Sequence, residues 1–294
     1  MFKILINRLF YLHLSVDINF FFKMINRITK KFNQLKNENR GGFIPFIVAG
    51  DPNPGTMKDL ILGLAKQGAS VIELGVPFSD PMADGVTIQA SAERALRNRI
   101  NVKDILQIVS ETRAEDCETP IILFSYFNPI LQFGLEKFAA EANESGVDGV
   151  LITDLVPGEA EDFRQILAAK ILALIMLAAP TSSDERLEKI CGKASGFVYA
   201  VSRAGVTGAR TSLSDDAENL VKRLRNFTDL PIAVGFGISN SEQVAETWKY
   251  ADAAVVGSAL VAEIMRVTPN PDNVPDDFVE KIEIFTRNLL PGTD

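Results

Sequence analysis

Short apolar runs recur along the chain. Each is closed by Gly, Pro or a polar residue, and most are followed by a segment whose apolar positions return every three or four residues. From residue 42 onward eight runs stand out: Phe43–Ala49, Ser70–Leu74, Pro120–Ser125, Gly149–Thr153, Leu172–Leu177, Gly196–Val201, Pro231–Gly235 and Ala253–Gly257. They are rich in Val, Ile, Leu and Phe with little alternation, the pattern of strands covered on both faces. Between and after them the helical period predicts helices over Met57–Gln67, Lys103–Ala114, Glu136–Ser145, Glu159–Ala169, Ser183–Cys191, Ser214–Phe227, Ser241–Tyr250 and Asp277–Asn288. The first is clearest, opened by Pro54-Gly55-Thr56 and stopped by Gly68. The long second connection predicts an extra short helix near Thr87–Arg97, and Gly257-Ser258 opens another after the last strand. Alternating strands and helices imply a parallel sheet. Eight units in about 250 residues favour a single α/β domain, a (β/α)₈ TIM barrel with extra helices, over an open doubly wound sheet. No G-x-G-x-x-G follows the first strand, which weakens a dinucleotide-binding version.

The first 40 residues differ in character, dominated by Phe, Ile, Asn, Leu and Lys, as in Phe20-Phe21-Phe22-Lys23. Asp17 interrupts the apolar stretch, small-residue cleavage signals are missing, and Ser and Arg are scarce, which argues against a targeting segment. Residues 1–23 read as an extension outside the fold, of the kind an AT-rich genome encodes upstream of a start at Met24. A helix over Met24–Glu38 then opens a single barrel domain, residues 24–294. No stretch is long and uncharged enough for a spanning helix.

Composition narrows the chemistry. The chain has 294 residues, 47% of them hydrophobic, enough for a large core. A net charge of −8 argues against nucleic acid as a main partner. Cys117 and Cys191 lie in separate segments without metal-ligand spacing, so a reducing compartment is the default. The only histidine is His13, outside the barrel. A Ser-His-Asp triad, a His proton shuttle and a His-ligated metal are therefore excluded, and carboxylates are left as the acid–base groups.

In such a barrel the active site lies at the C-terminal strand ends. The first strand ends in Gly50-Asp51-Pro52. The second carries Glu73 into a loop holding Asp80 and Asp84. The third is followed by Tyr126 and Asn128, and the fourth by Asp154. Glu73 sits at an otherwise apolar strand end, where an unpaired carboxylate is costly and its pKa is pushed up. It reads as an acid–base candidate, or as a carboxylate turned outward or locked in a structural hydrogen bond. Asp84 reads equally as its partner or as the Asp of an Asp-Gly turn. Gly235-Phe236-Gly237 after the seventh strand and Gly257-Ser258 after the eighth match the common phosphate site of these barrels: backbone N–H groups approach closely, and a helix N-terminus and a hydroxyl add donors. The loop Arg203–Gly208 has the composition of a lid, or of a plain surface loop. No Lys stands at a C-terminal strand end, which removes a Schiff-base aldolase.

The motif Glu73-Leu74-Gly75-Val76-Pro77-Phe78-Ser79-Asp80-Pro81-Met82-Ala83-Asp84-Gly85 closely resembles the signature of the tryptophan synthase α chain family. Pro45-Phe46-Ile47-Val48-Ala49-Gly50-Asp51-Pro52, Ser202-Arg203-Ala204-Gly205-Val206-Thr207-Gly208, Gly235-Phe236-Gly237-Ile238 and Gly257-Ser258 match it in order. The resemblance runs from about Met24 to the C-terminus. It implies a lyase that splits 1-C-(indol-3-yl)glycerol 3-phosphate into indole and glyceraldehyde 3-phosphate. It further implies Glu73 as general acid–base and Asp84 as the carboxylate that holds the indole N–H. Tyr199 would line the indole pocket and Phe46 would form a pocket wall, while Tyr126, read from its position alone, is a further substrate-binding wall or plain barrel packing. Thr207 would be a lid residue, and Gly208, Gly235, Gly237, Gly257 and Ser258 would hold phosphate. Asp80 and Asn128 would meet a partner β chain in an αββα assembly. That β chain carries pyridoxal phosphate, and this chain needs no cofactor. The setting would be a bacterial cytoplasm or a plastid stroma. Val86 departs from the family, where many members have Pro, and Val156-Pro157-Gly158 is also unusual.

Two alternatives stay open. Another phosphate-binding barrel enzyme, such as indoleglycerol-phosphate synthase or a sugar-phosphate epimerase, would want strand-end Lys or metal-ligating His. A non-catalytic partner-binding barrel would not need both Glu73 and Asp84.

Overall fold

Eight strands close on themselves in sequence order, every neighbouring pair parallel and the last paired with the first. The structure, a computed structural model, describes residues 26–201, 213–235 and 237–292. Helix α1 (Arg27–Asn37) precedes β1 (Gly42–Val48) and α2 (Met57–Lys66). Then come β2 (Ile72–Gly75), α3 (Val86–Arg97), α4 (Val102–Arg113), β3 (Ile121–Ser125), α5 (Phe127–Phe133) and α6 (Leu135–Ser145). The second half holds β4 (Gly149–Ile152), α7 (Glu161–Ala168), β5 (Ala173–Ala178), α8 (Asp184–Lys193), β6 (Val198–Val201) and α9 (Leu213–Leu224). It ends with β7 (Ile232–Gly235), α10 (Ser241–Thr247), β8 (Ala253–Val256), α11 (Ser258–Val267) and α12 (Phe278–Asn288). This is the (β/α)₈ barrel expected, including the extra helix α3.

The helix boundaries follow their caps. Asn101 and Asp104 form a reciprocal capping box at the start of α4. The Ser183 hydroxyl accepts from Arg186 N at α8, and Asn240 accepts from Gln243 N at α10. Helix α5 was not expected from the sequence. It is only two turns long, and Pro129 sits in its first turn, where a missing N–H costs nothing. Its first N–H is satisfied from another loop: Phe127 N donates to Asp154 Oδ1 at 2.7 Å.

The two ends of the barrel are built differently. At the N-terminal end α1 lies across the opening as a plug. Ile28, Phe32 and Leu35, spaced by four and three, are buried and join Ile44, Ile122, Leu151, Ile175 and Phe197 in the barrel interior. The Phe32 and Phe197 rings meet at 5.7 Å. Asn26 starts this helix later than the expected Met24: its Oδ1 accepts from Ile28 N at 2.9 Å, and its Nδ2 donates to the carbonyls of Asp148 and Ile171 at 2.6 and 2.9 Å. Residues 1–23, the expected extension, lie outside the described residues.

At the C-terminal end the described residues leave the interior open. Phe46 on β1 pairs in register with Glu73 on β2, and Glu73 with Ile122 on β3. Side chains alternate across a strand, so the set that includes Ile44 and Ile122 lower down brings Phe46, Glu73 and Phe124 inward above it. Gly75, next on that face, lacks a side chain where the Phe46 ring sits; a Cβ there would fall 2.7 Å from Phe46 Cζ.

Candidate active site

A cavity of about 290 Å³ opens at the C-terminal end of the barrel. Its floor is Phe46, Glu73, Phe124, Tyr199 and Val255, all carried by strands. One wall is Asp84, Gly85 and Ile88, from the loop after β2 and the first turn of α3. The other is Gly237, Ile238 and Ser239 after β7, with Gly257, Ser258 and Ala259 at the start of α11. Phe46, Glu73, Asp84, Tyr199, Gly237, Gly257 and Ser258, all singled out in the sequence, are thus brought together from five strands and the connections that follow them.

Glu73 is fully buried, and neither carboxyl oxygen has a hydrogen-bond partner among the described residues. Burial alone lifts its pKa from 4.5 to about 8. The group therefore holds its proton at neutral pH and faces a cavity in which it can give that proton away.

Asp84 is placed by its surroundings rather than by a tight turn alone. Tyr126 Oη donates to Asp84 Oδ2 at 3.1 Å and accepts from Ala83 N at 2.9 Å. Gln89 Nε2 on α3 donates to the Asp84 carbonyl at 2.7 Å. Burial raises the Asp84 pKa, and the Tyr126 hydroxyl works against that rise. Tyr126 itself is pushed up to about 12, chiefly by burial, so its hydroxyl stays a donor. Tyr126 does not line the cavity. Its hydroxyl holds Asp84 from outside the lining, and its ring lies tilted at 34° against Phe78 with centroids 5.2 Å apart.

Tyr199 is buried beside Glu73, and its pKa is raised by burial and by the neighbouring carboxylate. Its hydroxyl fills the space over Gly235, where any Cβ would overlap it. The absence of a side chain at Gly235 thus serves the packing of Tyr199, and Gly235 is not among the residues lining the cavity. Gly237 does line it and has φ +84°, which favours glycine. Helix α11 begins at Ser258 without a side-chain cap, so the first N–H groups of a ten-residue helix are free of a capping acceptor beside the cavity. No Lys or Arg is among the described residues that line it.

Asp80 and Asn128 are exposed, away from the cavity lining. The Asp80 carboxylate accepts from Ser79 Oγ at 2.7 Å. Thr207 and Gly208, and the whole loop Arg203–Gly208, lie outside the described residues. Sequence reading missed Phe124, Ile88 and Val255 as cavity walls. Phe124 sets its edge against Phe46 at 5.2 Å and 76°. The signal for Phe124 and Val255 was strand parity, since each shares the inward face of its strand with residues already read as core.

The model of the family described as tryptophan synthase alpha chain matches residues 32–289. The tryptophan synthase alpha chain of Caulobacter vibrioides is 48% identical over 256 residues, covering 87% of this chain and 93% of that one. That of Alkalilimnicola ehrlichii is 46% identical over 265 residues, covering 90% and 97%. Among solved structures, tryptophan synthase subunit alpha from Legionella pneumophila superposes with a TM-score of 0.81 at 36% identity, covering 90% of this chain and 97% of that chain. A chain of the tryptophan synthase α2β2 complex from Pyrococcus furiosus gives 0.77 at 40% identity, covering 85% and 97%. A match over most of the chain by sequence and by structure establishes that this protein belongs to the tryptophan synthase alpha chain family.

Proposed function

We propose that this chain carries out the α reaction of its family as a carbon–carbon lyase: 1-C-(indol-3-yl)glycerol 3-phosphate is cleaved to indole and glyceraldehyde 3-phosphate. The observation that carries the reading is Glu73, a buried carboxyl without a hydrogen-bond partner among the described residues, protonated at neutral pH and facing a cavity. Breaking the bond between the indole ring and the glycerol chain needs a proton on ring carbon C3, so that the ring can accept the bonding electrons. Protonated Glu73 supplies it. The resulting carboxylate then takes the proton of the hydroxyl on the adjoining glycerol carbon. The C–C bond breaks, the hydroxyl carbon becomes an aldehyde, and its electrons restore the aromatic ring. Glu73 ends as it began.

Asp84 accepts from the indole N–H and offsets the positive charge on the protonated ring. The phosphate lies at the other wall, against Gly237, Gly257 and the start of α11, where free N–H groups, the helix dipole and the Ser258 hydroxyl are donors. With no cation among the described lining residues, grip on phosphate comes from backbone geometry. Tyr199 and Phe46 hold the ring between them.

The same face carries an apolar surface suited to a partner. Met82 (83% exposed), Val86, Leu131 and Val156 all lie in connections leaving C-terminal strand ends. Asp80 and Asn128 stand among these connections. We assign this face to a β chain, since the Pyrococcus relative is part of an α2β2 complex. Pyridoxal phosphate chemistry belongs to that β chain. The test is indole release from indoleglycerol phosphate, with and without a β chain. Release by this chain, raised by the β chain, is the expected result. No release under either condition would refute the reading.

A further inference from the structure

Outside the cavity lining, Asp51 and Arg94 form an ion pair that the reaction does not use. Arg94 Nε lies 2.7 Å from Asp51 Oδ1, and the two side chains are 10% and 2% exposed. Asp51 follows β1, and Arg94 belongs to α3. Ser91 of α3 and Asn98, which caps its C-terminus, reach the same turn. Ser91 Oγ donates to Asp51 Oδ2 at 2.5 Å, and Asn98 Nδ2 donates to the carbonyls of Gly50 and Pro52 at 3.0 and 3.1 Å. Spaced by three and four, Ser91, Arg94 and Asn98 share one face of the helix. That face is fastened along its length to the turn after β1.

Arg94 also reaches a second helix. Its Nη2 donates to Thr268 Oγ1 at 2.8 Å, and the hydroxyl of Thr268, which closes α11, donates in turn to the Ile264 carbonyl at 2.6 Å. Two helices therefore meet at one guanidinium. The chain enters α3 two residues after Asp84, and α11 begins at Ser258. These are the opposite walls of the cavity. A buried ion pair contributes little net stability compared with apolar packing of the same volume; its attested use is to fix register.

We propose that Arg94, together with Asp51, is a positioning residue: it sets the separation between Asp84 and the phosphate-holding start of α11, so that a substrate gripped at both ends meets Glu73 in reacting geometry. The proposal rests on the functional reading above. It distinguishes a substrate that bridges the two walls from fragments that touch only one.

The experiment compares intact indoleglycerol phosphate with glycerol 3-phosphate and with indole, in two variants. The double variant Asp51→Asn/Arg94→Met removes both charges, so neither is left buried alone. Thr268→Val keeps the ion pair and cuts only the link from α3 to α11. Both fragments are expected to bind within about twofold of wild type, while kcat for the intact substrate falls about tenfold in the double variant and about threefold in Thr268→Val. If the double variant does not fold, Thr268→Val decides alone. An unchanged kcat in a folded variant, or fragment affinities that fall in step with kcat, overturns the proposal. A wild-type chain that releases no indole would instead refute the functional reading and leave the geometry of the two helices standing.

Discussion

Two buried carboxylates at opposite ends of the barrel show how burial divides into structure and chemistry. Asp148, at the N-terminal end, is 3% exposed and surrounded by partners. Arg113 Nη2 reaches it at 2.7 Å, Arg27 Nη1 at 3.2 Å and Ile121 N at 2.9 Å. Glu73, at the C-terminal end, is equally buried and has none of these among the described residues. Burial raises the pKa of both, but only Asp148 has cations and a backbone donor that oppose the rise. The plugged end spends its polar groups on each other. At the open end the Glu73 carboxyl is left unanswered among the described residues, and it faces the cavity. A buried acid is a functional signal when its partners are missing, not merely because it is buried.

The comparison is broken most severely at Glu73 itself. Glu73→Gln should lower cleavage about 10³-fold while leaving the fold intact, read as indole release together with a thermal melt. The same variant should be more stable than wild type. The unfolded chain loses this proton near pH 4.5, whereas the folded chain keeps it until about pH 8. Wild-type stability therefore falls as pH rises through that window, and Glu73→Gln removes the fall. Its gain in stability should grow from about pH 5 to about pH 8, reaching on the order of a few kcal/mol. A constant gain across that range, or a loss, would contradict the assignment.

Asp148→Ala should do the reverse. Two arginines and the Ile121 N–H lose their acceptor, which should cost about 3–5 kcal/mol in denaturant unfolding. The turnover of the protein that remains folded should be unchanged. Asp84→Asn should give the next smaller effect, a fall in kcat of about 10²-fold with little change in melting temperature. A loss of stability with kcat preserved would make Asp84 a turn-former after all.

Much of this was legible in the chain. The eight strands, the barrel they close and the extra helix α3 follow from apolar runs and helical periods, because both depend on local pattern. So does Glu73, since a carboxylate in an apolar strand is visible as a conflict. What could not be read depends on contacts between distant residues. The Tyr126 hydroxyl holds Asp84 across 42 positions, and Arg94 reaches Thr268 across 174. Neither separation leaves a periodic trace. Helix α5 is hidden for the same reason, its first N–H being satisfied by Asp154 on the next loop. Gly235 looked like a phosphate glycine because two glycines flank Phe236. Its missing side chain is instead explained by the hydroxyl of Tyr199, on the neighbouring strand.

The central claim is that Glu73 is a proton carrier held in its acid form by burial. Infrared difference spectra between wild type and Glu73→Gln, recorded from pH 5 to pH 9 without substrate, test it directly, because a protonated carboxyl has a carbonyl stretch that a carboxylate lacks. A Glu73 band that persists through neutral pH and disappears near pH 8 is the predicted result. A band already gone by about pH 6, within the usual range of an exposed glutamate, would contradict the account.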